Sequence, residues 1–213
     1  MEPSLSHSAL FSEIFLATLK SLVTLHHALY PRIPPQGIFF EALVERAFCT
    51  SGWRADQIVA SRANSPQHDL LVGTVRLSLK TETGVGTRRD WINITKLCTT
   101  ETGAWDSAAL IAHTLRHLSR YDHMLMLRAI WQGEIIRYQV VEIPLDLLKH
   151  ISDASVVPVG RRSGRSSMAT DVFDENTQLF HLHFDGADGK CQIQRLPVSR
   201  CQMLAEWEQS VEL

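Results

Sequence analysis

The segment from residue 68 to residue 84 carries the side chains best suited to chemistry. It reads HDLLVGTVRLSLKTETG, a pattern that predicts two strands joined by a two-residue turn beginning at Gly73. Counting outward from that turn places Asp69 directly opposite Ser78, at a Cβ separation of about 5 Å. Lys80 follows on the same face as Ser78, because side chains alternate along a strand. The sequence therefore predicts that a carboxylate, a hydroxyl and an ammonium group share one polar sheet face.

These groups fit the hydrolysis of phosphodiester bonds. Carboxylate oxygens are preferred ligands of a hard cation such as Mg²⁺, which keeps several waters when it binds a protein. Asp69 can supply one ligand, and Glu82 lies further along the same face as Lys80. Lys80 can hold the attacking water and offset phosphate charge, while a bound cation stabilises the leaving oxygen. We therefore predict a Mg²⁺-dependent catalytic site formed by Asp69, Lys80, Ser78 and Glu82.

The same residues resemble a known signature. Asp69 on one strand, followed by a Ser-Leu-Lys triplet that ends at Lys80, resembles the PD-(D/E)XK nuclease motif, in which an acid-x-Lys triplet follows an acidic residue. Glu41, in GIFFEALVERAF, resembles the glutamate of the helix that opens that nuclease core. The resemblance covers roughly residues 37–131, and the size and layout of the chain are similar to type II restriction endonucleases. It implies sequence-specific cleavage of double-stranded DNA with Mg²⁺ as cofactor.

Two features depart from that signature. Pro66 stands three residues before the aspartate rather than next to it, and Ser78 occupies the position that is normally acidic. Some restriction enzymes of this superfamily carry a neutral residue there and recruit a carboxylate from elsewhere. If no carboxylate reaches the site, the chain is instead a catalytically weak DNA-binding or repair-accessory module. The candidates for the additional metal ligand are Glu82, Glu41 and Glu45, the last two one helical turn apart.

Two other chemistries fit the sequence less well. A Ser-Lys hydrolase dyad is available in Ser78 and Lys80, but catalytic serines usually lie at sharp turns beside an oxyanion hole. A zinc site is a second alternative, although the spacing of its ligands does not match the usual zinc motifs. Its candidate ligands are His181, His183, Cys191 and Cys201.

Basic and amide side chains outside this hairpin predict DNA contacts. Arginine forks match phosphate oxygens and guanine edges, and glutamine amides suit base edges. In the hairpin predicted over residues 179–196, a solvated polar face is the equal alternative. The candidates are Arg88, Arg89, Arg161, Arg162, Arg165, Lys190, Gln192, Gln194 and Arg195.

The spacing of apolar residues predicts the elements that position these side chains. Helices are expected over residues 8–29, 37–50, 106–119, 145–151 and 199–212. Strands are expected over residues 57–61, 91–97, 123–131, 134–143, 179–184 and 190–196, besides the hairpin at 68–84. This order predicts an α/β (α+β) fold with a central mixed β-sheet flanked by helices.

Residues 1–213 are expected to form a single nuclease domain. Its predicted parts are an N-terminal helical element (1–36), a catalytic core (37–143), and DNA-recognition and C-terminal elements (144–213). The resemblance to type II restriction enzymes implies a homodimer, whose two-fold symmetry would match palindromic duplex DNA. The first helix, over residues 8–29, is a candidate dimer or subdomain element.

The composition limits which partners the chain can have. With 21 basic and 23 acidic residues the net charge is −2, which excludes indiscriminate coating of nucleic acid but allows a local basic cleft. No apolar run is long enough to span a bilayer, so no membrane partner is expected. Four cysteines without a CxxC pair indicate reduced thiols, and we expect the protein to act in the cytoplasm of a prokaryotic cell.

Overall fold

The helices begin and end where the sequence supplies caps. The computed structural model describes residues 10–61, 68–100, 103–160 and 165–211. The Ser12 side chain accepts a hydrogen bond from the Phe15 amide, and Asp106 caps its helix in the same way. The predicted start of the first helix, at residues 8 and 9, lies outside the described residues. The helices are α1 (Glu13–Leu29), α2 (Ile38–Thr50), α3 (Ser107–Leu118) and α4 (Leu145–Lys149).

A central sheet of six strands has the order β1-β2-β3-β5-β6-β11. Its strands are β1 (Ile58–Ala60), β2 (Leu70–Val72), β3 (Val75–Glu82), β5 (His123–Gln132), β6 (Ile135–Glu142) and β11 (Gln202–Ser210). β3 and β5 pair in parallel and every other neighbour pairs antiparallel. The prediction of a central mixed sheet flanked by helices is therefore confirmed.

A second sheet of five antiparallel strands has the order β4-β10-β9-β8-β7. Its strands are β4 (Trp91–Thr99), β7 (Val157–Val159), β8 (Ser167–Asp174), β9 (Thr177–Phe184) and β10 (Lys190–Pro197). The sequence predicts the β9–β10 hairpin but not β7, β8 or the separation into two sheets. β4 follows β3 in the chain yet pairs with β10, so the chain passes from one sheet to the other between residues 83 and 90.

The prediction of a C-terminal helix over residues 199–212 is wrong. β11 pairs with β6 along most of its length, and Trp207 lies opposite Tyr138 with the two rings stacked at 5.5 Å. The ladder of backbone hydrogen bonds to β6, together with burial of Trp207, outweighs local helix propensity. This strand forms one edge of the central sheet.

Two hydrophobic clusters lie on opposite faces of the central sheet. On one face Leu125 and Leu127 of β5 pack with α1 and α2, where Phe15 stacks on Phe48 at 4.2 Å. On the other face Met126 belongs to a cluster that also contains α3 and the second sheet. Among the described residues, no helix is long and apolar enough to cross a membrane.

The turn between β9 and β10 packs closely against the start of β8. A Cβ atom at Gly186 would lie 2.1 Å from the Arg165 carbonyl oxygen, whereas one at Gly84 would meet nothing within 4 Å. We expect Gly186→Ala to lower the free energy of unfolding by about 1–3 kcal/mol through overpacking, and Gly84→Ala to change it far less. Urea denaturation measures both, and equal effects would contradict this packing.

Candidate active site

Asp69 lies at the centre of a small polar group, as the sequence predicts. Val72 pairs with Val75 across the turn, which places Asp69 opposite Ser78. Asp69 Oδ2 accepts hydrogen bonds from the amide of Leu79 at 2.6 Å and from Ser78 Oγ at 3.2 Å. The Lys80 ammonium lies 3.5 Å from the same oxygen. The register of this hairpin, which was predicted from its turn, is confirmed.

The polar face of β3 is largely covered by the second sheet. Ser78 is fully buried and Glu82 is almost so, although both belong to the face that alternation predicts to be polar. Only the middle of the row is open: the side chains of Lys80 and Asp69 are 18% and 27% exposed. A substrate can therefore reach Asp69 and Lys80 but neither Ser78 nor Glu82. This burial disfavours Ser78 as a nucleophile.

Glu41 extends this polar group from the other side of the sheet. Burial and then the negative charge of Asp69 raise the pKa of Glu41, while the positive charge of Lys80 lowers it. Glu41 is thus close enough to feel both groups, with one carboxylate destabilising the ionised form of the other. Glu45 follows one turn later on α2, and no contact between Glu45 and Asp69 or Lys80 is found among the described residues.

Glu82 is buried and bound by protein groups, although side-chain alternation places it on the polar face of β3. One carboxylate oxygen accepts hydrogen bonds from the amide and the side chain of Asn93, at 3.0 and 2.9 Å. The other lies 2.9 Å from Nε of the fully buried Arg128. Both oxygens are therefore engaged within the protein, and the carboxylate joins β3 to β4 and β5.

Arg128 is a buried charge bound on all sides. Besides Glu82, it donates to Gln139 Oε1 at 2.6 Å and to the carbonyl of Trp91 at 2.5 Å. The carbonyls of Arg88 and Arg89 accept further hydrogen bonds from the same guanidinium. Carbonyls of the chain between the two sheets thus point inward, while Arg88 and Arg89 themselves are exposed. Sequence patterns gave no indication of this role, since an arginine in an apolar strand has no distinctive spacing.

Tyr121 and His117 also belong to the site and were missed by sequence reasoning. The Tyr121 hydroxyl lies 2.8 Å from His117 Nε2, and it interacts with Ser78 and with the charge of Asp69. Burial, followed by the positive charges of Lys80 and Arg120, lowers the pKa of His117 to about 4. A neutral His-Tyr pair therefore supports the site from α3 and the chain leading to β5. The only sequence signal is the separation of four residues, which is common on helices.

The described residues that were predicted to bind DNA lie in three regions. Arg88 and Arg89 are exposed between β3 and β4. Arg165 stacks over the Trp105 ring at 3.6 Å and donates to the Gly186 carbonyl. Arg161 and Arg162 lie outside the described residues, as does Pro66.

The remaining candidates are on β10. Lys190 forms an ion pair with Asp188 at 2.5 Å. Gln192 and Gln194 share a face, as predicted, and their amides hydrogen-bond to each other at 3.0 Å. Arg195 has a positive φ of 57° at an irregularity of the β10–β4 ladder.

The residues of the alternative zinc site do not converge. His181 lies 2.8 Å from Asp171, and Cys191 lies opposite Cys98 in the β4–β10 ladder. Within the described ranges, no group of three or more His, Cys, Asp or Glu side chains is placed to hold a metal ion. The geometry gives no support to zinc binding.

Comparison with known proteins identifies the family of this chain. A family model described as SmaI, type II site-specific deoxyribonuclease, matches residues 4–209. The chain belongs to this family. The type II restriction enzyme SmaI of Serratia marcescens is 30% identical to this SmaI-family chain over 175 residues, which are 79% of the chain and 70% of the relative. No solved structure gives a significant match. Family membership confirms the predicted resemblance to type II restriction endonucleases and the enzyme class.

Type II restriction enzymes generally need a divalent metal ion, and the donor set of this SmaI-family chain fits one. Asp69 Oδ1 accepts no hydrogen bond from any described residue, while its Oδ2 is held by three donors. Glu41 adds a second carboxylate whose ionised form a cation would stabilise. One or two carboxylates, completed by waters and substrate phosphate, are a usual set for a small hard cation.

Removal of Arg128 tests the buried ion pair. We expect Arg128→Met to lower the free energy of unfolding by about 3–5 kcal/mol, because it leaves the Glu82 carboxylate buried and unpaired. Arg137→Met is the matched control: its ion pair with Glu208 on the neighbouring strands is partly exposed and should contribute no more than about 1 kcal/mol. Urea denaturation measures both variants. Similar losses would show that Arg128 is no more important than a surface arginine.

Proposed function

We propose that this chain is a Mg²⁺-dependent endonuclease that hydrolyses phosphodiester bonds at a specific sequence in double-stranded DNA. The observation that carries the proposal is the accessible group of Asp69, Lys80 and Glu41, in which two carboxylates and an ammonium interact at one edge of the sheet. Membership of a family of site-specific deoxyribonucleases supplies the reaction class. Charged groups of this kind suit hydrolysis of an anionic, unreactive ester.

Each protein group has a definite task in this proposal. Ser78 and the Leu79 amide fix one oxygen of Asp69, so that the other points consistently toward a ligand. Lys80 stands beside Asp69, where its ammonium can hold a water by hydrogen bonding and neutralise a phosphate oxygen. Tyr121 is buried, and its hydroxyl group contacts Ser78 and His117.

The additional metal ligand in this proposal is Glu41 rather than Glu82. Glu41 interacts with both Asp69 and Lys80, whereas both oxygens of Glu82 are bound by Asn93 and Arg128. Asp69 and Glu41 would therefore hold the Mg²⁺ ion, which when bound supplies Lewis-acid stabilisation of charge on the phosphate and leaving oxygen. In this proposal, Glu41 of α2 supplies the carboxylate that the nuclease signature normally has where Ser78 stands.

DNA would approach the side where the two sheets separate. Arg88 and Arg89 are exposed between the sheets, and Arg165 is held by Trp105 at the start of β8. These cations suit phosphate contacts, while the paired amides of Gln192 and Gln194 suit base edges.

The four free cysteines agree with action in a reducing prokaryotic cytoplasm.

Cleavage of plasmid DNA tests the catalytic assignment. Asp69→Asn and Lys80→Ala should each reduce the cleavage rate with Mg²⁺ by about 10²- to 10⁴-fold, because each removes a charge that acts on the reacting groups. Lys149→Ala, which removes an exposed lysine of α4, is the control and should cut normally. DNA binding measured by mobility shift should persist in all three. Full cleavage by either site variant would refute the assignment, and wild-type binding without cleavage would indicate a DNA-binding module.

The same assay separates the candidate ligands. Glu41→Gln should raise the Mg²⁺ concentration needed for half-maximal cleavage by at least about tenfold, since loss of even an outer-shell partner of a metal has that effect. Glu45→Gln, one turn away on the same helix, should leave it unchanged. Equal effects of the two variants would remove Glu41 from the metal site.

We also propose that the enzyme is a homodimer that contacts itself through the end of α1 and the start of α2. Contiguous exposed apolar side chains mark interaction surfaces on soluble proteins. The exposed members of this surface are Leu25, Leu29, Tyr30, Ile33, Ile38 and Phe39. A cleft of about 980 Å³ adjoins it, lined by Leu29 and Ile33 together with Trp131 of β5. A symmetric pair of active sites would cut both strands of a palindromic site.

Light scattering after size-exclusion chromatography measures this assembly. The wild type should have twice the 24.0 kDa chain mass, and Phe39→Glu should shift it to the monomer because a charge would be buried in the interface. Phe173→Glu is the matched control, since Phe173 is similarly exposed but lies on β8 of the second sheet. A monomeric wild type at micromolar concentration would rule out this dimer.

A further inference from the structure

A narrow cleft opens between β3 and β4, directly beside Lys80. Its volume is about 170 Å³, and Leu79, Lys80 and Thr81 line one side. Ile94, Thr95 and Lys96 line the other side, and Met126 of β5 also contributes. The cleft therefore joins the predicted catalytic lysine on the central sheet to a second lysine on the second sheet.

Lys96 owes its position to a bulge in β4. Cys98 pairs with Cys191 and Ile94 pairs with Ile193, so three residues of β4 face a single residue of β10. Thr95 and Lys96 are consequently both exposed, which a regular strand would not allow for successive residues at a packed sheet. Bulges are common beside active sites, where they redirect side chains. This one directs that part of β4 away from its ladder with β10 and into the cleft beside β3.

The charge of this cleft is unbalanced. Lys80 is 3.5 Å from Asp69, but Lys96 has no ion-pair partner among the described residues. Of the described residues that line the cleft, none is acidic, whereas two are lysines and two are threonines. Ammonium and hydroxyl groups are hydrogen-bond donors for anionic oxygen. The cleft is therefore suited to an anion next to the position where Lys80 acts.

We propose that this cleft is a phosphate subsite for the strand being cut, in which Lys96 binds the phosphodiester group next to the scissile one. The proposal rests on the proposed nuclease function and adds a substrate-binding residue to it. Successive phosphates of one strand are separated by roughly 3.4 Å along the helix axis. A second lysine on the wall of the cleft opposite Lys80 is therefore suited to the neighbouring phosphate of that strand, with Lys80 at the first and Lys96 at the second.

Substitutions of Lys96 test the subsite. Lys96→Ala should lower kcat/KM for DNA cleavage by about 10- to 100-fold, as expected for loss of a charge-assisted hydrogen bond. It should also reduce the slope of log binding constant against log salt by about 1. Lys96→Arg keeps the charge and should recover most of both values. Lys20→Ala, which removes an exposed lysine of α1, is the control for a general change in charge.

Chemical modification of the DNA identifies which phosphate Lys96 contacts. The wild type is first used to map its cleavage position by sequencing product ends. A neutral methylphosphonate is then placed at the phosphate adjacent to that position. It should slow the wild type about tenfold or more but slow Lys96→Ala much less, because the contact is already lost.

The outcomes separate the subsite from the function on which it rests. Cleavage by the wild type with unchanged kcat/KM and salt slope in Lys96→Ala overturns the subsite alone. Equal sensitivity of wild type and Lys96→Ala to the methylphosphonate also overturns it. A wild type that binds DNA without cutting overturns the proposed function, and the salt slope of Lys96→Ala then decides whether the phosphate contact exists.

Discussion

The architecture depends on one buried cation. Arg128 is fully enclosed, and a guanidinium inside a protein is tolerated only when its donors are all bound. Its partners come from β3, β6 and the chain that leads into β4. These contacts fix where β3 ends and how the backbone turns away from the central sheet. A hydrophobic residue of similar volume could fill the space, but it could not bind the three backbone carbonyls of residues 88–91 that Arg128 binds.

This turn creates the place where chemistry can occur. Because β2 is only three residues long, it pairs with β3 as far as Leu77 and leaves the rest of that edge without a partner strand. Asp69 fills part of the gap by accepting from the Leu79 amide. β4 then lies across from the open edge rather than pairing with it. The accessible carboxylate and ammonium groups sit at the position where a sheet lacks its neighbour.

Local features were predictable from sequence and non-local ones were not. The two-residue turn at Gly73 sets the pairing of Asp69 with Ser78, so that contact follows from counting residues. Helix periodicity likewise predicted α2, and the resemblance to the nuclease family singled out Glu41 on it. The partner of Glu82, by contrast, is Arg128, 46 positions away, and no short-range pattern indicates which carboxylate a buried arginine will choose. The C-terminal strand β11 was missed because its conformation is imposed by the free edge of β6.

Because β4 belongs to the second sheet, it connects β10 to the cleft beside Lys80. β10 carries the amides proposed to meet base edges, and β4 is its hydrogen-bonded neighbour. A base that fits poorly and displaces β10 by a fraction of an ångström would therefore displace the wall of the cleft beside Lys80 as well. Fidelity in such an enzyme would need no separate domain movement. Correct and incorrect DNA sites would then be distinguished by the alignment of β10 with β4, because the hydrogen bonds between these two strands connect the base contacts to the cleft at the scissile bond.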